Sequence, residues 1–251
     1  ELAPKEYKTY HEPFFGGGAL FFSLQPARSF LSDINPRLMN FYASLRLNSD
    51  LLTGMVNSMM LRSGDPKSVY YDIRSQLNQE DTSKFDRQVD VSAAARFLYL
   101  NKSCYNGLWR ENKDGSFNVP YGGKVIKMFD RHVLALTSQA LKKASLLTES
   151  YEMSLRAERG DFVYFDPPYV PVKQDSFTEY NAKGFGLKQQ TSLRDIARVL
   201  KNRGVHVMLS NSDTSIVRDL YKDFDVVEVS AKRSVNRDPN GRGKVGELII
   251  R

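Results

Sequence analysis

The sequence predicts an α/β protein: an open sheet with helices on its faces, interrupted by a mostly helical insertion. Three observations predict it. A strand, a glycine loop, a helix, a second strand and an acid follow one another within the first 35 residues. Strands and helices alternate again over the C-terminal third, and the stretch between breaks that alternation while carrying most of the chain's net positive excess.

"YHEPFF" reads as an aromatic strand end that passes through Gly16, Gly17 and Gly18 into an apolar helix, Ala19 to Leu24. "ARSFLSDINP" gives a short strand ending on Asp33. Asn35-Pro36 then opens a helix, cap followed by first-turn proline, with Leu38, Phe41, Tyr42 and Leu45 at helical spacing. From about Leu51 the alternation lapses. Asp65-Pro66 opens a helical piece, "VSAAARFLYLNK" is another, and "CYNGLWRENKDGSFNVPYGG" reads as an irregular loop or hairpin around Lys113-Asp114-Gly115. Asp130 caps a helix through "RHVLALTSQALKKA".

Alternation returns with "GDFVYF", a strand stopped by Pro167 and Pro168, which cannot donate to a sheet ladder. In "TSLRDIARVLKNRG" Leu193, Ile196, Ala197 and Leu200 share one helix face and Gly204 closes it. "VHVMLSNS" is the next strand and "DTSIVRDLY" a short helix. "FDVVEVSAKR" and "KVGELIIR" pair around a basic turn, Lys232 to Lys244. The expected organisation is a sheet domain from residues 1–50 and 146–251, with 51–145 inserted.

At 251 residues the chain is long enough for one full core and a smaller lobe. No apolar run reaches the roughly 18 residues of a membrane span, and "ELAPKEYKTY" lacks the layout of a signal peptide. One cysteine, Cys104, excludes an internal disulfide framework, so a cytoplasmic protein is expected. Net charge is +7, and residues 84–143 alone hold eleven Lys/Arg against five Asp/Glu. Tyr99, Tyr105, Trp109, Phe117 and Tyr121 lie among those bases, a mixture suited to nucleic acid, although a solvated helix face would look similar.

By itself "FFGGGA" is equally a tight strand-to-helix turn. Asp33, at the end of the following strand, adds a carboxylate placed to accept from a ribose diol. The loop has neither the lysine of a phosphate-binding P-loop nor the full G-x-G-x-x-G spacing, which favours a nucleoside without a phosphate chain, such as S-adenosylmethionine. No metal is expected. "VYFDPPYVP" sets Asp166, Pro167 and Tyr169 where open α/β sheets bind ligands, beyond a strand's carboxyl end. An exocyclic amine on an aromatic base is a poor nucleophile because its lone pair is delocalised. A carboxylate and a proline-fixed carbonyl that both accept from it return electron density to nitrogen, while a tyrosine ring stacks on the base. No covalent intermediate is needed, so Cys104 reads as structural.

"EPFFGGGALFF", "LSDINP", "CYNGLWR", "FNVPYGG" and "VYFDPPYVP", in that order, resemble the Dam family of DNA adenine-N6 methyltransferases, the class with the glycine motif first, the recognition domain next and Asp-Pro-Pro-Tyr last. The resemblance covers essentially the whole chain. It implies a Rossmann-like S-adenosylmethionine-dependent methyltransferase sheet with an inserted, mostly helical DNA-recognition domain containing a β-hairpin. It further implies double-stranded DNA as partner, S-adenosylhomocysteine as product and, because the hairpin segments are similar to those of GATC enzymes, GATC as the site. Phe14, Gly16 and Gly18 would shape the cofactor pocket, Asp33 would bind the ribose, and Asp166 would lie near cofactor and flipped adenine. Tyr105 would wedge into DNA, Leu108 and Arg110 would read bases, and Asn112, Asn118 and Pro120 would belong to the recognition hairpin. A solvated surface arginine is the plain alternative for Arg110. Lys102, Lys113, Lys124, Arg233 and Arg242 suit phosphate contacts. Ser210 to Ser212 could line the adenine pocket, with Ser212 or Asp213 expected to cap the next helix. Phe177 and Tyr180 sit in a loop able to close over the base.

Two features depart from the family's pattern. Members usually carry a Lys-Trp-x-Gly-Gly-Lys segment upstream of the first strand that helps enclose the cofactor, and it is not among residues 1–251. Gly123 stands where relatives often place an arginine that contacts phosphate, and Lys124 is the expected substitute. Competing readings are amino methylation of cytosine N4, which usually goes with Ser at position 166, of RNA or protein glutamine, which usually go with Asn there, and a catalytically silent DNA-binding homologue. Whether the chain is a monomer, stands alone, pairs genetically with a restriction enzyme or belongs to a phage stays open.

Overall fold

The computed structural model describes residues 2–123, 129–171, 185–232 and 244–251. Lys124, Phe177, Tyr180, Arg233, Arg242 and the turn between Lys232 and Lys244 lie outside the described residues. Along the chain the elements are β1 (Tyr10–Glu12), α1 (Ala19–Leu24), β2 (Ser29–Ser32), α2 (Pro36–Met60), α3 (Pro66–Asn78), α4 (Val91–Ser103), α5 (Arg131–Leu141), β3 (Ala144–Leu147), β4 (Phe162–Phe165), α6 (Leu187–Arg203), β5 (His206–Ser212), α7 (Ser215–Leu220), β6 (Val226–Lys232) and β7 (Lys244–Ile250).

The chain divides into two compact units, one of Glu1–Asp33 with Glu149–Arg251 and one of Ile34–Thr148. The boundary expected at residue 50 falls inside α2. Compactness puts the division at Asp33 because α2 packs along α4 and α5. The helix after Asp130 also stops earlier than expected, at Leu141, and residues 144–147 form β3, whose Ala144 carbonyl accepts from Arg46 at 2.8 Å.

In the first unit the strand order is β2-β1-β4-β5-β7-β6. β1 pairs in parallel with β2, Tyr10 to Glu12 opposite Ser29 to Leu31, and on its other side with β4, Tyr10 opposite Phe162. β5 follows β4 in parallel, and β7 runs antiparallel between β5 and β6. The order therefore reverses at β1, so the carboxyl ends of β1 and β4 flank a switch point, the place where such sheets bind ligands. "FVYF" can be a strand here because both its faces are covered. Val163 and Phe165 pack with Leu193 and Leu200 of α6 and Leu209 of β5, all fully buried. The apolar face read from the α6 sequence is the buried one, and Gly204 ends the helix at φ 87°.

Among its described residues the second unit is helical except for β3 and one hairpin. Asn35 caps α2 by accepting from the amides of Arg37 and Leu38, and Asp65, Asp90 and Asp130 cap α3, α4 and α5. A cap of this kind contributes about 1 kcal/mol. The segment from Cys104 to Tyr121 is a hairpin with isolated bridges, Cys104 opposite Tyr121 and Glu111 opposite Phe117. It is clamped by Asn78, which donates to the Phe117 carbonyl and accepts from its amide, and by Tyr70, whose hydroxyl donates to the Val119 carbonyl at 2.8 Å. Trp109 stacks on Phe117 and leans on Phe97, with centroids 4.4 and 4.5 Å away. Among the described residues no helix is long and apolar enough to cross a membrane.

Candidate active site

β4 ends at Phe165, and the prolines after it hold Asp166 out at the strand's carboxyl end, exposed to solvent. One Asp166 oxygen accepts from the Ser210 hydroxyl at 2.7 Å, and that hydroxyl lies 3.0 Å from the Tyr164 hydroxyl. Register explains the meeting. β4 and β5 pair from Phe162 opposite His206 to Phe165 opposite Leu209, so the next residues along the two strands are Asp166 and Ser210.

The rest of the lip is fastened down. Gln190 of α6 donates to the Pro168 carbonyl at 2.9 Å, and Asn211 accepts from the Val170 amide at 3.1 Å. Ser212 donates to the Val170 carbonyl, and Asn211 donates to Gln190. Tyr169 is half-buried. Burial chiefly pushes its phenol up, a bond to Ser210 opposes this, and nearby Asp166 adds to it. "SNS" thus forms the end of β5 itself and holds the lip. The expected cap of α7 at Ser212 or Asp213 is corrected: Thr214 accepts from the Val217 amide, while Asp213 pairs with Arg218 at 2.7 Å.

The glycine loop sits beside this lip. Gly16 and Gly18 have φ of 46° and 63°, a region that favours glycine, and Gly18 caps α1. A Cβ on Gly18 would meet the Phe15 ring at 2.5 Å, whereas one on Gly17 would meet nothing within 4 Å. Asp33 accepts from the Gly16 amide at 3.1 Å, so it straps the loop to the end of β2. Phe14 stacks on Tyr151 at 5.4 Å and meets Phe185 edge-on at 5.5 Å.

Sequence reasoning missed Glu12, the last residue of β1. It is 2% exposed, accepts from the Tyr10 hydroxyl at 2.7 Å and from the Phe21 amide, and is pushed up to about 8, chiefly by burial and further by Asp166. Its signal was present: a charged residue inside a strand of otherwise core character. Glu12, Asp33 and Asp166 thus gather three carboxylates at the ends of β1, β2 and β4 in a chain of net charge +7. Among the described residues no group of three or more His, Cys, Asp or Glu is arranged to hold a metal ion.

In the second unit the hairpin brings together the other residues singled out from the sequence. Tyr105 and Leu108 stand 46% and 42% exposed, large apolar side chains open to solvent. The Tyr105 amide donates to the Pro120 carbonyl at 2.9 Å. Arg110 is exposed, and its Nε donates to Asn118 at 2.7 Å, while Asn118 donates in turn to Asn112. Cys104 is buried beneath the hairpin with its thiol pushed up to about 11 by burial, an inert sulfur.

Comparison with known proteins matches residues 1–235 to a family described as D12 class N6 adenine-specific DNA methyltransferase. The chain is 37% identical to the Type II methyltransferase M1.LlaDCHI of Lactococcus lactis subsp. cremoris, over 99% of this chain and 88% of that protein. It is 39% identical to the Type II methyltransferase M.MjaIII of Methanocaldococcus jannaschii, over 100% and 90%. It is 34% identical to the DNA adenine methylase of Escherichia coli K12, over 95% and 84%.

Proposed function

The chain belongs to the D12 class of N6 adenine-specific DNA methyltransferases, and from that premise we propose that it methylates the adenine of GATC after that base has left the duplex. The observation that carries the chemistry is the bond from Ser210, at the end of β5, to Asp166, which follows β4 beside the switch point of the sheet. The similarity of "CYNGLWR" and "FNVPYGG" to GATC enzymes supports the choice of site.

The family implies S-adenosylmethionine, and the donor set suits it: Glu12, Asp33 and Asp166 line neighbouring strand ends, which favours a cationic small molecule beside an open glycine turn. When bound, it would supply an activated methyl on a sulfonium, a leaving group that would keep the bonding electrons. Asp166, oriented by Ser210, accepts from the adenine amine and draws electron density back to nitrogen. Gln190 occupies the Pro168 carbonyl, so the backbone acceptor assigned beside Asp166 is that of Pro167. Tyr169 holds the base by stacking. The solvent-exposed carboxylate of Asp166 receives the proton that the methylated nitrogen sheds and passes it to water.

An adenine paired within a duplex cannot bring its amine to a site at a strand end, so extrusion is required. Tyr105, exposed on the hairpin, fills the gap, and Arg110 is suited to guanine O6 and N7. A DNA substrate fits action in the cytoplasm. The test is transfer of labelled methyl to duplexes that contain GATC, a changed first G, or no A. Labelling of GATC alone is expected, and equal labelling of all three would overturn the site. Asp166→Ala should abolish transfer and leave DNA binding, and near-normal turnover in it would remove Asp166 from the chemistry.

A further inference from the structure

Glu12 takes no part in the methyl-transfer step above, yet of the three strand-end carboxyl groups it is the one sealed from solvent, at the carboxyl end of β1 next to the switch point. Among the described residues, the groups that act on it are the Tyr10 hydroxyl on its own strand, the Phe21 amide of α1, and Asp166 after β4, and it acts in turn on Tyr164. None of these is a cation. A carboxylate withdrawn from water without a cation is costly and keeps its proton, in line with the upward push to about 8. What these surroundings lack is a positive charge, and the proposed cofactor brings one.

We infer that Glu12 is the charge-matching group of the cofactor pocket: it is neutral in the empty protein and ionises when the cationic S-adenosylmethionine enters, releasing one proton to solvent. The inference rests on the proposed cofactor. S-adenosylhomocysteine, whose sulfur is uncharged, leaves Glu12 largely protonated. Glu12 thereby favours the loaded cofactor over the spent one, and this preference strengthens with pH.

The experiment is calorimetric titration of the whole chain with each compound in buffers of different ionisation enthalpy, from pH 6 to 9. Close to one proton should leave per S-adenosylmethionine bound at pH 7, and its affinity should rise by up to about tenfold per pH unit below pH 8 and then level. S-adenosylhomocysteine should show a much flatter profile. Glu12→Gln should remove the difference in proton release. S-adenosylmethionine that binds without releasing a proton, or equal release by both compounds, overturns the inference alone. Failure of both compounds to bind overturns the cofactor reading on which it rests. If Glu12→Gln does not fold, the two pH profiles of the wild-type chain decide.

Discussion

The hydroxyl of Ser210 donates to Asp166 across 2.7 Å, joining the end of β5 to the carboxylate that follows β4. Ser210 is 2% exposed and touches Tyr164 as well, so the bond is sheltered although Asp166 itself is open to solvent. A hydrogen bond to a charged group contributes roughly 1.5–3 kcal/mol. Spent on orienting the acceptor, that corresponds to roughly 10–100-fold in rate. Ser210→Ala should therefore slow methyl transfer by that factor in single-turnover assays, with cofactor affinity unchanged. A rate within twofold of wild type would mean that Asp166 is oriented by something else.

What was legible in the sequence was what local chemistry dictates. The caps at Asn35, Asp65, Asp90 and Asp130, the buried face of α6 and its Gly204 stop all follow from short-range rules. The hairpin around Lys113-Asp114-Gly115 was readable for the same reason. The residues that were misread or missed depend on contacts far apart along the chain. β3 forms where Arg46, 98 residues away, takes up the Ala144 carbonyl. Ser210 meets Asp166 through the register of two parallel strands, and no local pattern encodes register between segments separated by a helix. Glu12 stands out in the sequence as an acid in a core strand, but that it is sealed follows from the sheet order, which puts β2 and β4 on either side of it.

Gly17 and Gly18 separate the backbone role of the loop from a ligand role. Gly18→Ala puts a Cβ 2.5 Å from the Phe15 ring at φ 63°, so it should destabilise the fold by roughly 1–3 kcal/mol, a loss of several degrees in thermal midpoint. Gly17→Ala meets nothing within 4 Å and should melt within about 1–2 °C of wild type. If the cofactor lies along this turn, the added methyl at Gly17 should still weaken S-adenosylmethionine binding by roughly tenfold. Undiminished affinity in that variant would remove the loop from the cofactor site.

Arg110 is held by Asn118, and Asn118 in turn donates to Asn112, so the guanidinium is presented in a set orientation. Arg110→Ala should relax discrimination at one base pair by about 1–3 kcal/mol, read as the ratio of kcat/KM for GATC and singly changed duplexes. Asn118→Ala should weaken the same discrimination less, since the arginine remains but loses its guide. Lys113, exposed at the hairpin tip, should behave differently: its loss should weaken all duplexes alike and reduce the salt dependence of binding by about one counterion. A uniform effect from Arg110→Ala would make that residue a phosphate contact.

The buried carboxyl of Glu12 gives the fold itself a pH dependence whose sign can be worked out. Its folded value, about 8, lies above the ordinary carboxyl value of 4.5, so the folded state holds a proton that the unfolded chain has already lost at neutral pH. Stability from this group is therefore fully present below about pH 4.5 and falls as pH rises towards 8. Above that, the folded protein must keep a charge buried with, among the described residues, the Tyr10 hydroxyl and the Phe21 amide to solvate it. Glu12→Gln retains an acceptor for both and carries no charge, so its gain over wild type should grow with pH. Near pH 5 the two proteins should melt within about 1–2 °C, and at pH 9 the variant should melt higher by roughly 3–8 °C. A variant that melts lower than wild type at pH 9 would show that the Glu12 carboxylate is stabilised in the folded protein, contrary to its burial among neutral and acidic neighbours.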